Sequence, residues 1–228
     1  MPSLYGEDRW LSVYSLTRDP RILHVSENDA MMFKPPPDNL PSPLDITAIV
    51  VASTNDEALG ALSTLAGSAL PPKIILVCLD PDRAEELAWF PTAYSYMLPG
   101  ISFFVPGKRL SVGEGMLAGL QNVRTKYFFV IGPYGLIHTD TPMYISAELA
   151  KGDYDIFYAR RFKVNKHGWA LYQTNRLKPI WRTNYVIYKG AFCRNGWSVE
   201  AVEAETLKKF GQSTVPAKTD AVLFYTKD

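Results

Sequence analysis

Four short apolar runs, ITAIVVAS at 46–53, KIILVCLD at 73–80, ISFFVP at 101–106 and YFFVIG at 127–132, alternate with longer polar-apolar segments. Each run is too short for an ordinary helix and is dominated by β-branched, aliphatic or aromatic residues, so each reads as a strand, the first as one buried on both faces. The first segment between them, TNDEALGALSTLAGSA, places Leu59, Leu62, Leu65 and Leu70 at roughly helical intervals. In the second, PDRAEELAWF follows Asp80, and Asp80 or Asp82 is positioned to cap a helix. A third helix is expected over Val112–Asn122. This βαβαβαβ order requires an α/β fold with a mostly parallel central sheet covered on both faces. Ligands of such sheets bind beyond the carboxyl ends of the strands, which selects Thr54–Asp56, Asp80–Arg83, Lys108–Gly115 and Gly132–Tyr134 as one crevice.

The first 45 residues differ. FKPPPDNLPSPLD holds Pro35, Pro36, Pro37, Pro41 and Pro43 and can neither propagate a helix nor fill a central strand, so 1–45 reads as an N-terminal arm and proline-rich connector. Within it, Trp10 to Val25 is expected to add an edge strand or short helix. No apolar run approaches 18 residues, and MPSLYGEDRW lacks the basic and apolar regions of a signal peptide, so a cytoplasmic protein without a membrane span is expected. Cys78 and Cys193 read as buried or half-buried thiols, and His24, His138 and His167 lack metal-ligand spacing.

Charge is unevenly spread. Between Phe157 and Lys189 stand Arg160, Arg161, Lys163, Lys166, Arg176, Lys178, Arg182 and Lys189 with no acidic residue, although the whole chain carries a net charge of only +1. Aromatics including Phe162, Trp169, Tyr172 and Trp181 interleave with these cations. Two readings follow: a surface for a phosphate-bearing ligand or nucleic acid, or a basic loop and hairpin with core aromatics and solvated cations. Phosphate cradles of other classes are missing, since no GxGxxG follows the first strand and no GxxxxGK[ST] occurs. The absence of GxSxG weakens a hydrolase reading.

The order of these pieces resembles the GT-A fold of nucleotide-sugar glycosyltransferases in the large inverting family 2. IVVASTNDEALGALSTL resembles the family's opening strand and polar turn, IILVCLDPD keeps one acidic residue at the end of the second strand, and GKRLSVGEGMLAGLQNVRTKYFFVIG resembles its glycine-rich helix and aromatic strand. The resemblance implies a GT-A-like three-layer sandwich, with a nucleotide-sugar binding half at 46–135 and an acceptor-binding half at 136–228. It implies donor contacts from Thr54, Asn55, Asp56, Asp80, Arg109, Gly132 and Tyr134, with Asp56 and Asp80 at the nucleoside. Local structure offers competing roles: Asp80 as a helix cap, Asn55 as a turn residue, and Arg109 and Glu114 as a surface ion pair.

The family's Asp-x-Asp, which holds a divalent ion against the donor diphosphate, falls on Gly132 and Tyr134 here. Either Asp140 brings Mn²⁺ or Mg²⁺ from a displaced loop to a noncanonical site, or Lys108, Arg109 and the Arg160–Lys166 cluster offset the leaving charge without a metal. The resemblance also implies a general base at the start of a late helix, where Glu203 is the first choice and Glu200 the second; both equally suit the helix dipole. Gln173 and Arg176 partly match the QxxRW of processive synthases, but Leu177 replaces the tryptophan, so polymer synthesis is not expected. Arg160, Arg161, Lys163, Lys166, Arg176 and Arg182 are the candidates for acceptor or phosphate binding, with DNA carrying a hydroxylated base as one acceptor. The alternative is a catalytically degenerate GT-A-like domain that binds a nucleotide or nucleic acid.

Overall fold

The computed structural model describes residues 45–137 except 69 and 99, residues 141–150, 152, 190 and 194, and the strand backbones at 156–164, 170–172, 186–189 and 216–227. The expected alternation is present: β1 (Ile46–Ala52), α1 (Asn55–Ala66), β2 (Lys73–Cys78), α2 (Ala84–Tyr94), β3 (Ile101–Phe104), α3 (Val112–Asn122) and β4 (Tyr127–Ile131). There follow β5 (Gly135–Ile137), α4 (Thr141–Leu149), β6 (Ile156–Val164), β7 (Ala170–Tyr172), β8 (Val186–Lys189) and β9 (Pro216–Lys227). The arm at 1–44 and Cys193 lie outside the described residues.

One sheet orders its strands β3-β2-β1-β4-β8-β6-β9-β5, with β7 on β6. The pairs β2–β3, β1–β2, β1–β4 and β6–β9 are parallel, whereas β4–β8, β6–β8, β6–β7 and β5–β9 are antiparallel. It follows that β1, β2, β3, β4, β6 and β9 all run one way, and the sheet is mostly parallel. The chain moves outward from β1 to β2 to β3, then returns past β1 to β4. Right-handed crossovers therefore put α1 and α2 on one face and α3 on the other. The packing agrees: the hydroxyls of Ser63 on α1 and Tyr94 on α2 are 2.9 Å apart, and α3 lies over β1 and β2.

Both faces of the central strands β1 and β4 are dry. Every residue of β1 and of β4 is buried, which explains why these strands show no alternation in sequence. Thr47 on β1 and Thr125, just ahead of β4, meet each other's hydroxyl at 2.6 Å, and Thr125 also donates to the Tyr127 carbonyl at 2.7 Å. Close approach of α3 rests on glycine: a Cβ at Gly119 would stand 2.6 Å from Ile49 Cγ2 and 3.1 Å from Val77 Cγ2. Gly119→Ala gains about 1 kcal/mol of helix propensity but overpacks the interface by about 1–3 kcal/mol. The expected result is a net loss, read as a lower urea midpoint with an unchanged slope.

Element ends correct the sequence expectations in three places. α1 stops at Ala66, where Gly67 closes it, so Leu70 lies beyond the helix and not on its stripe. Asp80 caps a 3-10 turn over Pro81–Arg83 instead of α2, whose own N-cap, Arg83, makes no capping hydrogen bond. Pro81 accounts for this, since its ring fixes the tight first turn right after Asp80. β3 ends at Phe104, two residues short of the run that suggested it.

Candidate functional site

The carboxyl ends of β3, β2, β1 and β4 lie along one edge, and the strand order reverses between β1 and β4. Such a reversal splits the connecting chains apart and opens a crevice between them. Thr54–Asp56 and Gly132–Tyr134 flank this point, as the sequence expected.

On the β1 side, the turn into α1 is closed by reciprocal bonds. Thr54 Oγ1 accepts from the Glu57 backbone N–H at 3.3 Å, and the Glu57 carboxylate accepts from the Ser53 N–H at 2.6 Å. Glu57 was not a sequence candidate, although a Ser-Thr pair followed by Glu is a capping signature that could have found it. Asn55 opens the helix, and its Oδ1 is buried without a hydrogen-bond partner among the described residues. It does not act as the turn residue its amide suggested. A buried acceptor left unmade costs about 1–3 kcal/mol, so this carbonyl is suited to an incoming donor. Asp56, next along, is exposed.

On the β4 side, Gly132-Pro133-Tyr134-Gly135 forms a tight turn, with the Gly135 N–H donating to the Gly132 carbonyl at 2.9 Å. Gly135 cannot carry a side chain, because a Cβ would lie 2.5 Å from Ile131 Cγ2 and 2.9 Å from the Gly132 oxygen. Tyr134 has φ 56°, in the left-handed region. Its N–H donates to the Glu57 carbonyl at 3.0 Å, which ties this turn to the first turn of α1 across the switch point. The Tyr134 residue is nonetheless 46% exposed.

Asp80 sits at the end of β2, 8% exposed. One carboxylate oxygen accepts from the Asp82 N–H at 3.2 Å, and the other lies 3.6 Å from Arg109 Nε. Asp80 and Arg109 are thus brought together at the carboxyl edge of the sheet. The pair adds little stability because the Arg109 side chain is 80% exposed. Cys78 beneath them donates its thiol to the Asp80 carbonyl at 2.9 Å, and burial pushes that thiol up from its ordinary pKa, so it is no nucleophile.

Glu114 does not pair with Arg109. Lys108 Nζ reaches it at 3.3 Å, and its carboxylate accepts from the Ser111 N–H at 2.7 Å while Ser111 Oγ accepts from the Glu114 N–H, forming a capping box for α3. That backbone hydrogen bond, helped by Lys108, holds the Glu114 carboxyl below its usual range. Stability from this cap is present above the ordinary carboxylate pKa and is lost as pH falls through the lowered one.

Of the remaining candidates, Arg160, Arg161 and Lys163 lie on β6, an interior strand between β8 and β9. The β6–β9 register slips between Tyr158 and Arg160 and again between Arg160 and Arg161, a bulge of the kind that re-aims side chains near sites. His138, Asp140, Lys166, Arg176, Arg182, Glu200 and Glu203 fall outside the described residues.

The residues at the family's metal position do not fit a divalent cation. Gly132 has no side chain, Tyr134 offers a neutral phenol, and among the described residues no three His, Cys, Asp or Glu side chains converge on one point.

No family model and no curated protein matches the chain. Solved structures do resemble it. TarS of S. aureus, residues 1–349, superposes with a TM-score of 0.63 at 14% identity over 80% of this chain and 60% of that one. The same fragment in complex with UDP-GlcNAc gives 0.61 at 15% identity, over 80% of this chain and 58% of that one. In complex with UDP it gives 0.60 at 15% identity, over 80% of this chain and 60% of that one. The chain therefore spans about 60% of the TarS fragment it resembles. At this identity the likeness shows the fold, a GT-A-like sandwich.

Proposed function

We propose that this protein transfers a sugar from a nucleotide-sugar donor to an acceptor hydroxyl. The observation that carries the reading is the strand reversal, where Asn55 presents a buried acceptor without a partner among the described residues, Asp80 a carboxylate at the next strand end and Tyr134 a half-exposed residue. Support comes also from the shared fold, since TarS has been crystallised with UDP and with UDP-GlcNAc. The donor's base and ribose are assigned to Thr54, Asn55, Asp56 and Asp80, and Arg109 to the rim. The acceptor oxygen then bonds to the anomeric carbon as that carbon's bond to the diphosphate oxygen breaks. The hydroxyl proton passes to a carboxylate, assigned to Glu203, and the nucleoside diphosphate departs with the electron pair.

For the acceptor we favour a polyanion, with DNA bearing a hydroxylated base as the concrete case, on the strength of the basic run that includes Arg160, Arg161 and Lys163. A second reading, a binding domain without transfer, draws on the missing carboxylates at Gly132 and Tyr134. The deciding experiment is calorimetric titration of UDP, GDP, CMP, UDP-GlcNAc and dTDP-glucose, with and without Mn²⁺, followed by a transfer assay with the donor that binds. Selective micromolar binding with turnover is expected. Binding without turnover on any acceptor favours the second reading, and absence of DNA binding at low salt removes DNA as acceptor. A requirement for Mn²⁺ would point to Asp140 as the displaced ligand.

A further inference from the structure

The strand order forces the later part of the sheet to curl. Residues 132–134 alone join β4 to β5, yet β8, β6 and β9 stand between those two strands. A flat sheet would set β4 and β5 about 19 Å apart, whereas the link from Ile131 to Gly135 reaches about 14 Å at full stretch. β5 therefore turns back towards the end of β4, and a Cβ on Gly135 would stand 2.5 Å from Ile131 Cγ2. The sheet face to which Gly135 belongs is the concave one.

Register carries that face to β6, because residues level with one another in a ladder share a face. Gly135 is level with Thr226 on β9, and Thr226 with Lys163 on β6. One row deeper, Ile137 is level with Phe224, and Phe224 with Arg161; Ile137 is fully buried. The partners of Tyr158, Arg160 and Arg161 are Lys218, Val222 and Phe224, so the extra residues of the register slips belong to β9 and β6 keeps its alternation. Arg161 and Lys163 thus occupy the concave face. Since β4 and β6 are both antiparallel to β8, they run the same way, and Lys163 stands near the carboxyl end of β6, on the edge that holds the turn after β4.

Other groups near that turn supply little positive charge. From Tyr127 to Ile137 the sequence YFFVIGPYGLI has no charged residue, and the first turn of α1 carries Asp56 and Glu57. Lys108 lies 3.3 Å from Glu114 and Arg109 3.6 Å from Asp80, so both cations ahead of α3 already face carboxylates. An anion at the turn after β4 therefore draws its countercharge from β6. Basic residues on a concave face are costly to keep unless an anion meets them.

We propose that Lys163, with Arg161 one row behind it, supplies the cation for the donor's diphosphate at the turn where Gly132 and Tyr134 stand in place of carboxylates. This rests on the donor site proposed above and moves Lys163 from the acceptor surface to the donor. The row shared with Gly135, next to the buried row of Ile137, favours a diphosphate over a duplex.

The test is calorimetry of uridine, UMP, UDP and duplex DNA with the full chain, for the wild type, Lys163→Met, Lys163→Gln, Lys163→Arg and Lys227→Met, with a thermal melt of each. Lys227 is level with Val164, at the same edge on the other face, and controls for loss of charge alone. Lys163→Met is expected to lose roughly ten- to a hundredfold in UDP affinity, the loss of a hydrogen bond to a charged group, less for UMP and nothing for uridine. Lys163→Arg recovers most of the loss, and Lys227→Met binds UDP as the wild type does. Lys163→Gln, which keeps a polar stem, is read in place of Lys163→Met if the latter does not melt cooperatively.

Equal UDP affinity in the wild type and the neutral variants at 163 overturns the assignment, as does an equal loss for uridine and UDP. A loss in Lys227→Met matching that at 163 reduces the effect to a general field and overturns the contact. Weakened DNA binding with unchanged UDP affinity returns Lys163 to the acceptor and also overturns it. Failure of the wild type to bind any nucleotide instead overturns the donor site itself.

Discussion

Phe129→Ala is expected to remove about 3–5 kcal/mol of folding stability. Phe129 is fully buried on β4, the strand that carries the crevice turn at its carboxyl end. In register it stands beside Ala48, which in turn stands beside Ile74, so one sheet face reads Ile74, Ala48, Phe129 across three strands. The small alanine in the middle leaves the phenyl ring to fill space that no neighbour can take over. Removing it opens a void against a close-packed core, and the surroundings relax only partly. For a chain of this length that amounts to a fall in melting temperature on the order of 10 °C. A shift below about 2 °C in a thermal melt would show that the ring is not a core element.

Glu203→Gln is expected to slow sugar transfer roughly 100- to 10,000-fold, the range for loss of a general base, while nucleotide affinity stays at the wild-type value. The amide keeps the shape of the carboxylate but cannot take the acceptor proton. Glu200→Gln, three residues earlier in sequence, should cost far less if Glu203 is the base. The reverse ranking would exchange their roles. If both variants retain full turnover, neither carboxylate is the base, and the proton must leave by another route. Paired kcat and Kd measurements separate these outcomes, since a folding defect would lower affinity as well.

The fold of the parallel half was legible because its strands are buried on both faces. Burial of that kind selects uninterrupted runs such as IVVA and IILVC, and nothing else of that length and composition competes. The edge where the carboxyl ends gather was legible for the same reason, since strand order fixes it. What escaped was local chemistry that depends on neighbours. Asp80 looked like a cap for the helix that follows, but Pro81 made the first turn a tight one. Glu114 looked available to a ligand, yet its partners are Ser111 and Lys108, found only once α3 was closed by its capping box. The left-handed backbone at Tyr134 was hidden because that conformation is ordinarily announced by glycine, and here the sequence writes tyrosine. The unpaired Asn55 carbonyl is likewise a statement about what is missing around an atom, which no residue pattern contains.

β9 is threaded into the sheet between β6 and β5. β1 to β4 can pair with one another as soon as residue 131 has been made, through connections of ordinary length. Gly135–Ile137, only a few residues further on, pairs with β9 and so must await Pro216–Lys227. A nascent chain thus carries β1 to β4 already paired while Gly135–Ile137 still waits for its partner, and long-range pairings of this sort close slowly. Pro216–Lys227 is the segment that pairs with both β6 and β5, so the interval before it is made is one in which those strands stand open to aggregation.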